Sequence, residues 1–483
     1  MGVRSAVRMI LAGAFAVGCA RAAPAPPRMP KTPPRGVVLI SMDTVRADHT
    51  SPCGGPPDSA PTLARLAREG VVFDNVFAQA NETLFSHGSV FTGRIASHVA
   101  PVDYDFTIPD EAETLASRMR AAGMRTGAVV AGGHLGRIFG LDDGFDSYAE
   151  GKPFGSFQET VPMAVRWVEQ AVAGGEPFFL FVHGYDAHTP YIKPGVFARM
   201  ATPAHRTAFG PMLYNPVFYE KIREDTVYPE FELQSRANKT GLPFPDLGAF
   251  EAFRRYTETP GVKKVPLSPD ERAFLLGTYA TSVFYADLWV GVLLAELEQR
   301  GLLPTTTVAV MSDHGEALLD YGLMSHRHTL RDRATHVPLI IRPAGGISPV
   351  HVATPVSLLD VAPTLLDLAG ATAAATMEGR SLVPCFGGAC PVGATPYSES
   401  AIKEVSVTDG VHRLVVQGLL PTDPALDDAL RTGQGAQFLL YDVAAGEKHD
   451  IADDPAMAPT VASLRASMLA VRRKRLSAPD LPK

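Results

Sequence analysis

The chain has 483 residues, 46% of them hydrophobic and 20% charged, with 43 Gly and 41 Pro. That length and composition allow one large buried core with a small appendage and exclude a fibrous or wholly disordered chain. With a net charge of −7 there is no overall basic field for a phosphate backbone, so nucleic acid is not expected as a partner.

Residues 1–19 read as an export signal. Arg4 and Arg8 form a basic start, and Met9 to Val17 an apolar stretch too short to span a bilayer. Ala16-Val17-Gly18-Cys19 resembles a bacterial lipobox, which predicts acylation of Cys19 after cleavage. The chain would then cross the inner membrane and stay lipid-anchored, at the periplasmic face or cell surface. The alternative is a plain secretory signal with Cys19 incidental. Residues 20–35 form an extended Pro/Ala-rich tether.

From residue 36, short Val/Ile/Phe runs alternate with longer helical patterns, the rhythm of βαβ units around a mainly parallel sheet. Strands are predicted at 36–42, 126–131, 177–183 and 306–312. Ala60-Pro61 opens a helix that turns Leu63, Leu66 and Ala67 inward and ends at Gly70. Residues 192–267 break the rhythm and read as an insertion over the active-site face. A long helix follows, capped by Ser268 with Glu271 reaching back, and runs to about Arg300. The catalytic domain is thus expected over 36–370. Residues 371–483 should form a small C-terminal α+β subdomain, with antiparallel strands in 405–418 and 436–443 and a closing amphipathic helix from Pro459. Cys385 and Cys390, five apart, would form a local disulfide in an oxidising compartment, or remain two free thiols; Cys53 is left unpaired.

In open parallel sheets, ligands bind beyond the carboxyl ends of the strands. Two acidic residues stand there: Asp43 after the first strand, and Asp313, followed by His314, after the strand at 306–312. Each Asp alone could be a helix cap. Together, carboxylates and an imidazole can hold a divalent ion. Thr83 opens the helix-like run TLFSHGSVFTG; it is a plain N-cap or a hydroxyl placed to bind or attack an anionic ester.

The ordered segments MDTVRADH (42–49), APTLARLAREGVVFDNVFAQ (60–79), TLFSHGSVFTG (83–93), YDAHTPY (185–191), SDHGEALLDYGLMSHRHTLRD (312–332), HVPLIIR (336–342) and EGRSLVP (378–384) resemble the sulfatase family of the alkaline phosphatase superfamily. The resemblance implies an alkaline-phosphatase-like α/β fold and a metal held by Asp43, Asp313 and His314. Thr83 falls at the family's nucleophile position and would be the fourth ligand of the ion. His188 and His134 match active-site histidines, and Arg327 or His328 falls near a basic residue that holds the anion. His183, His326 and His336 read as structural histidines.

The departures redirect the chemistry. Sulfatases carry Cys or Ser followed by x-Pro-Ser-Arg, oxidised to formylglycine; Thr83 cannot be so converted, and His87 replaces the arginine. The family's paired aspartates become Asp43-Thr44, and Gly132 stands where a lysine is expected. Unmodified threonine occupies this position in phosphodiesterase-like and phosphoglycerol-transferase-like relatives. The expectation is therefore a hydrolase or transferase of phosphate, favoured as diester, or sulfate esters, with one divalent ion (Mn²⁺, Ca²⁺ or Zn²⁺) and no formylglycine. The alternative is a catalytically silent protein that binds an anionic glycan or lipid head group. A serine hydrolase using Ser86 or Ser89 is disfavoured, since no G-x-S-x-G elbow occurs.

Overall fold

The computed structural model describes residues 33–103, 105–188, 191, 269–323, 325–388, 390–391 and 395–473. The export signal, Cys19, most of the tether, the 192–267 insertion and the Ser268 cap lie outside the described residues.

Nine strands form the main sheet: β1 (Gly36–Met42), β2 (Val71–Phe77), β3 (Arg125–Val130), β4 (Ser147–Glu150), β5 (Phe178–Gly184), β6 (Thr306–Met311), β7 (His336–Arg342), β8 (Val350–Val352) and β9 (Val356–Ser357). Their order is β4-β3-β5-β1-β6-β7-β2-β8, with β9 also pairing β2. Only β7 runs against its neighbours, β6 and β2. The other pairings are parallel, so the sheet is mainly parallel as the βαβ rhythm predicts.

The central strands are continuous apolar runs because both faces are covered. Side chains alternate across the sheet. Val37 and Leu39 of β1 enter the core on one face; Val38 and Ile40 enter the core on the other. The second face is covered by α1 (Pro61–Ala67), α4 (Phe157–Ala173) and α5 (Pro269–Gln299). The first is covered by α2 (Thr83–Thr92), α3 (Leu115–Ala121) and α6 (Val361–Ala369). Long and apolar enough to cross a bilayer, α5 instead buries Tyr279, Val283, Val290, Leu293 and Leu297 in this core.

A separate four-stranded antiparallel sheet, β10 (Tyr397–Ser400), β11 (Glu404–Thr408), β12 (His412–Gln417) and β13 (Gln437–Asp442), forms the C-terminal subdomain with α7 (Pro424–Thr432) and α8 (Ala458–Arg473). Leu382, Cys385 and Phe386, which precede it, pack into the main core, and Cys385 and Cys390 form a disulfide. Cys53 is a free thiol, partly buried.

The two sheets are joined near the site. Ala80, just before α2, pairs with Glu399 of β10. The Glu399 carboxylate accepts from the backbone N–H and the hydroxyl of Ser97.

Candidate active site

Adjacent parallel strands β1 and β6 end side by side, so the residues that follow them meet. Asp43 follows β1. Thr44, next to it, adopts a left-handed backbone, φ 58, and its N–H donates to Asp313 Oδ1 at 3.2 Å. The His314 N–H donates to the same oxygen at 2.9 Å. Neither aspartate is a helix cap; both are turned toward each other.

The third component arrives on α2. Glu82 occupies the cap position and makes no side-chain cap, so Thr83 is the first helical residue rather than the N-cap. Its hydroxyl donates to Asp43 Oδ2 at 3.1 Å and lies 3.3 Å from His314 Nε2. His314 Nδ1 donates to Gly315 O at 3.1 Å, which leaves the Nε2 lone pair facing the site. Asp43, Asp313 and His314 are fully buried, and Thr83 is 3% exposed.

These groups fit a divalent cation. Asp43, Asp313 and His314 offer ligand atoms that all lie within 4.8 Å of one another. Among the described residues, Asp43 Oδ1 and Asp313 Oδ2 are buried with no hydrogen-bond partner. Burial, then the neighbouring Asp313 carboxylate, raises the Asp43 pKa well above the usual range. Burial opposes ionisation of Asp313 too, but His314, His87 and His183 outweigh it and lower its pKa. Two desolvated carboxylates and an imidazole are the donor set that a divalent ion neutralises.

Two histidines lie beneath this centre. His87 Nδ1 donates to Thr83 O at 2.8 Å and lies 3.5 Å from Asp313 Oδ2, while its Nε2 is 2.9 Å from Ser41 Oγ. Burial lowers its pKa. His183 Nε2 is 3.4 Å from Asp43 Oδ2. The spacing of His87, one helical turn after Thr83, was the available signal; read as a substitution for arginine, it carried no contact. His183 reads as structural, yet it is the penultimate residue of β5, in register with Ser41 of β1, and so faces the site.

The remaining expected residues form a rim. The His188 ring packs against His326, 5.4 Å between centroids, and His326 packs on His314 at 4.2 Å. His326 Nδ1 lies 3.6 Å from Glu316 Oε2, whose carboxyl burial pushes up to about 8. The His134 N–H donates to the Tyr185 hydroxyl at 3.2 Å. Arg327 forms an ion pair with Glu82, the residue before Thr83, and His328 is half-buried on the same segment. Asp186 Oδ2 accepts from the Phe157 N–H at the start of α4, at 2.7 Å. The structure thus gathers Asp43, Thr83, Asp313 and His314 into one centre, with His188 linked to it through the His326 ring and His134 packed with Tyr185 and Phe154, the neighbours of His188.

A hydroxyl at a helix start, over two carboxylates and a histidine beyond the strand ends of a mainly parallel sheet, matches the fold and site frame of the alkaline phosphatase superfamily. Within that class the model of the Sulfatase family matches residues 35–371, and the chain belongs to that family. It is 22% identical to Arylsulfatase K of Danio rerio over 391 residues, covering 76% of this chain and 71% of that protein. It is 26% identical to Arylsulfatase K of Homo sapiens over 227 residues, 46% of this chain but only 38% of the human protein. Among solved structures, the phosphonate monoester hydrolase of Silicibacter pomeroyi superposes with a TM-score of 0.66 at 20% identity, covering 92% of this chain and 96% of that one. A protein solved with its substrate D-glucosamine-2-N,6-O-disulfate gives 0.66 at 18% identity, with 93% and 99% covered. At these identities the structural likeness shows the fold.

Proposed function

We propose that the chain hydrolyses or transfers anionic esters, phosphate diesters in preference to sulfate esters, with Thr83 as the nucleophile. The carrying observation is the Thr83 hydroxyl, hydrogen-bonded to Asp43 and 3.3 Å from His314 Nε2 at the first turn of α2. One divalent ion, Mn²⁺, Ca²⁺ or Zn²⁺, held by Asp43, Asp313 and His314, would lower the pKa of that hydroxyl and offset the charge of the ester.

Thr83 Oγ passes its proton to Asp43 Oδ2 and attacks phosphorus. The Oγ–P bond forms, the bond to the leaving alcohol breaks, and phospho-Thr83 remains. The free N–H groups at the start of α2 face the developing negative charge. His188 and Arg327 or His328 steady the ester oxygens, with His134 beside them, and a protonated group of this set returns a proton to the leaving oxygen. Water or a second alcohol then attacks phosphorus and frees Thr83. A sulfated threonine lacks the internal expulsion open to a hydrated aldehyde, which supports phosphate over sulfate. Contact with the membrane would be through a lipid at Cys19 alone.

The test is turnover of aryl phosphodiester, phosphomonoester and sulfate substrates with each of the three metals. Thr83→Ala and Asp313→Ala should each lose at least about a hundredfold in kcat, the scale of one reacting group. Full activity in either variant sinks the assignment. The altered positions Thr44, His87 and Gly132 favour a second reading, a silent binder of an anionic glycan or lipid head group. Elemental analysis separates them: protein that neither carries nor takes up a divalent metal supports the binder.

A further inference from the structure

A row of rings leads from the metal centre toward solvent. His314 packs on His326, and His326 on His188. His188 meets Tyr185 at 5.6 Å and Phe154 at 5.7 Å between centroids. Phe154 ends the row, 5.1 Å from Tyr185 and 6.0 Å from His134. The proposed chemistry uses His188 and His134 and gives Phe154 no part.

Phe154 occupies a turn that disfavours it. The Gly155 N–H donates to Lys152 O at 2.9 Å, Pro153 takes the second position, and Phe154 takes the third with φ 56. Proline second and a left-handed residue third are the requirements of a type II turn, whose third position ordinarily holds glycine. The ring is also 39% exposed. The fold would be served as well by glycine, and backbone strain of this kind persists where a site needs the side chain. The turn is fixed in place by the Tyr185 N–H, which donates to Gly155 O at 3.0 Å.

We propose that Phe154, with Tyr185 at its edge, is a stacking platform for the leaving group, and that the substrate's alcohol therefore carries a ring. Its flat face, aryl or pyranose, lies on Phe154 while the ester group reaches Thr83. This deepens the proposed function and rests on it for the position of the ester. The buried and half-buried rings that lead from the metal centre end at the exposed ring of Phe154, which selects for a ring and offers nothing in particular to a short alkyl chain.

The test uses Thr83→Ala protein, loaded with Mn²⁺ and titrated calorimetrically with 4-nitrophenyl phosphate, glucose 6-phosphate and ethyl phosphate. Adding Phe154→Ala should weaken binding of the ring esters about tenfold, leave ethyl phosphate within about twofold, and be rescued by Phe154→Tyr. Phe154→Gly relieves the turn, so it should show the same loss without a lower melting temperature. Stronger dependence for the nitrophenyl ester points to an aryl alcohol, and for the glucose ester to a sugar; either supports the platform. An equal loss for all three esters, no loss for any, or no binding of either ring ester overturns it. Turnover of the Thr83→Ala protein reports separately on the nucleophile, so ring-selective binding together with undiminished turnover would keep the platform and remove Thr83.

Discussion

Asp43 and Asp313 follow adjacent strands, fully buried, each with a carboxylate oxygen that has no hydrogen-bond partner among the described residues. Without a cation, ionised Asp43 costs folding free energy through desolvation and repulsion from Asp313. Saturating metal should therefore stabilise the protein, by about 2.7 kcal/mol at a hundred times Kd, and chelation should reverse this. Asp43→Asn, which removes the charge that burial and Asp313 disfavour, should raise the metal-free unfolding midpoint while abolishing the response to metal; calorimetry with and without chelator checks both. A second residue carries a pH dependence of its own. His336 donates from Nε2 to Asp74 O at 2.9 Å, and its Nδ1 lies 3.5 Å from Asp332. Burial opposes its charge, but Asp332 outweighs burial and raises its pKa. A raised folded value means that the protonated ring stabilises the fold. This contribution is complete below the unfolded value of about 6.5 and is lost as pH rises through the higher folded value. The stability gap between wild type and His336→Asn should thus shrink as pH rises from about 6.5 through the raised folded value, measured by denaturant unfolding. Asp43, Asp313 and His314 were legible because acidic residues directly after parallel strands are few. His183 was not, since only the pairing of β5 with β1 turns it toward Asp43.

Helix α1 starts where its free N–H groups have no cap of their own, at Ala60. Asp287, from the middle of α5, supplies one: its oxygens accept from Thr62 N at 2.8 Å and Leu63 N at 2.9 Å. Asp287→Ala leaves these donors unmet at a buried junction and should cost about 1–3 kcal/mol, read from urea unfolding. Gly127 of β3 exposes the packing limit on the same face. A methyl group there would lie 2.1 Å from the Trp167 ring of α4, so Gly127→Ala should destabilise by about 1–3 kcal/mol. The strands β1, β3, β5 and β6 lie within a residue of where their apolar runs placed them. Such runs mark a buried strand whichever way it points, so the reversal of β7 had no local signal. The cap from Asp287 was hidden for a related reason. It joins residues more than two hundred positions apart, and the helix pattern around Asp287 records only that the face is buried.

At the scale of the molecule, the small sheet is joined to the large one by a buried charge network. Arg413 of β12, fully buried, donates from Nε to Glu447 Oε1 at 2.8 Å, and Glu447 Oε2 accepts from the Asp332 N–H at 2.7 Å. Its guanidinium also lies 5.1 Å from the Phe77 ring of β2. Removing the cation strands Glu447, so Arg413→Met should cost about 3–5 kcal/mol. Because Glu399 ties β10 to the segment before α2, the variant should also loosen the approach to Thr83, visible as faster hydrogen exchange there. The change of pattern after residue 370 announced a second unit. The part that Arg413 plays in its docking was illegible, because a buried cation among apolar strand residues looks like any exposed one in sequence. The direction of β1 has a last consequence. The chain enters it at Gly36 and leaves at Met42, next to Asp43, roughly 20 Å away by strand rise. If Cys19 holds the chain to a bilayer, the tether meets the sheet at the Gly36 end of β1, the end opposite Asp43.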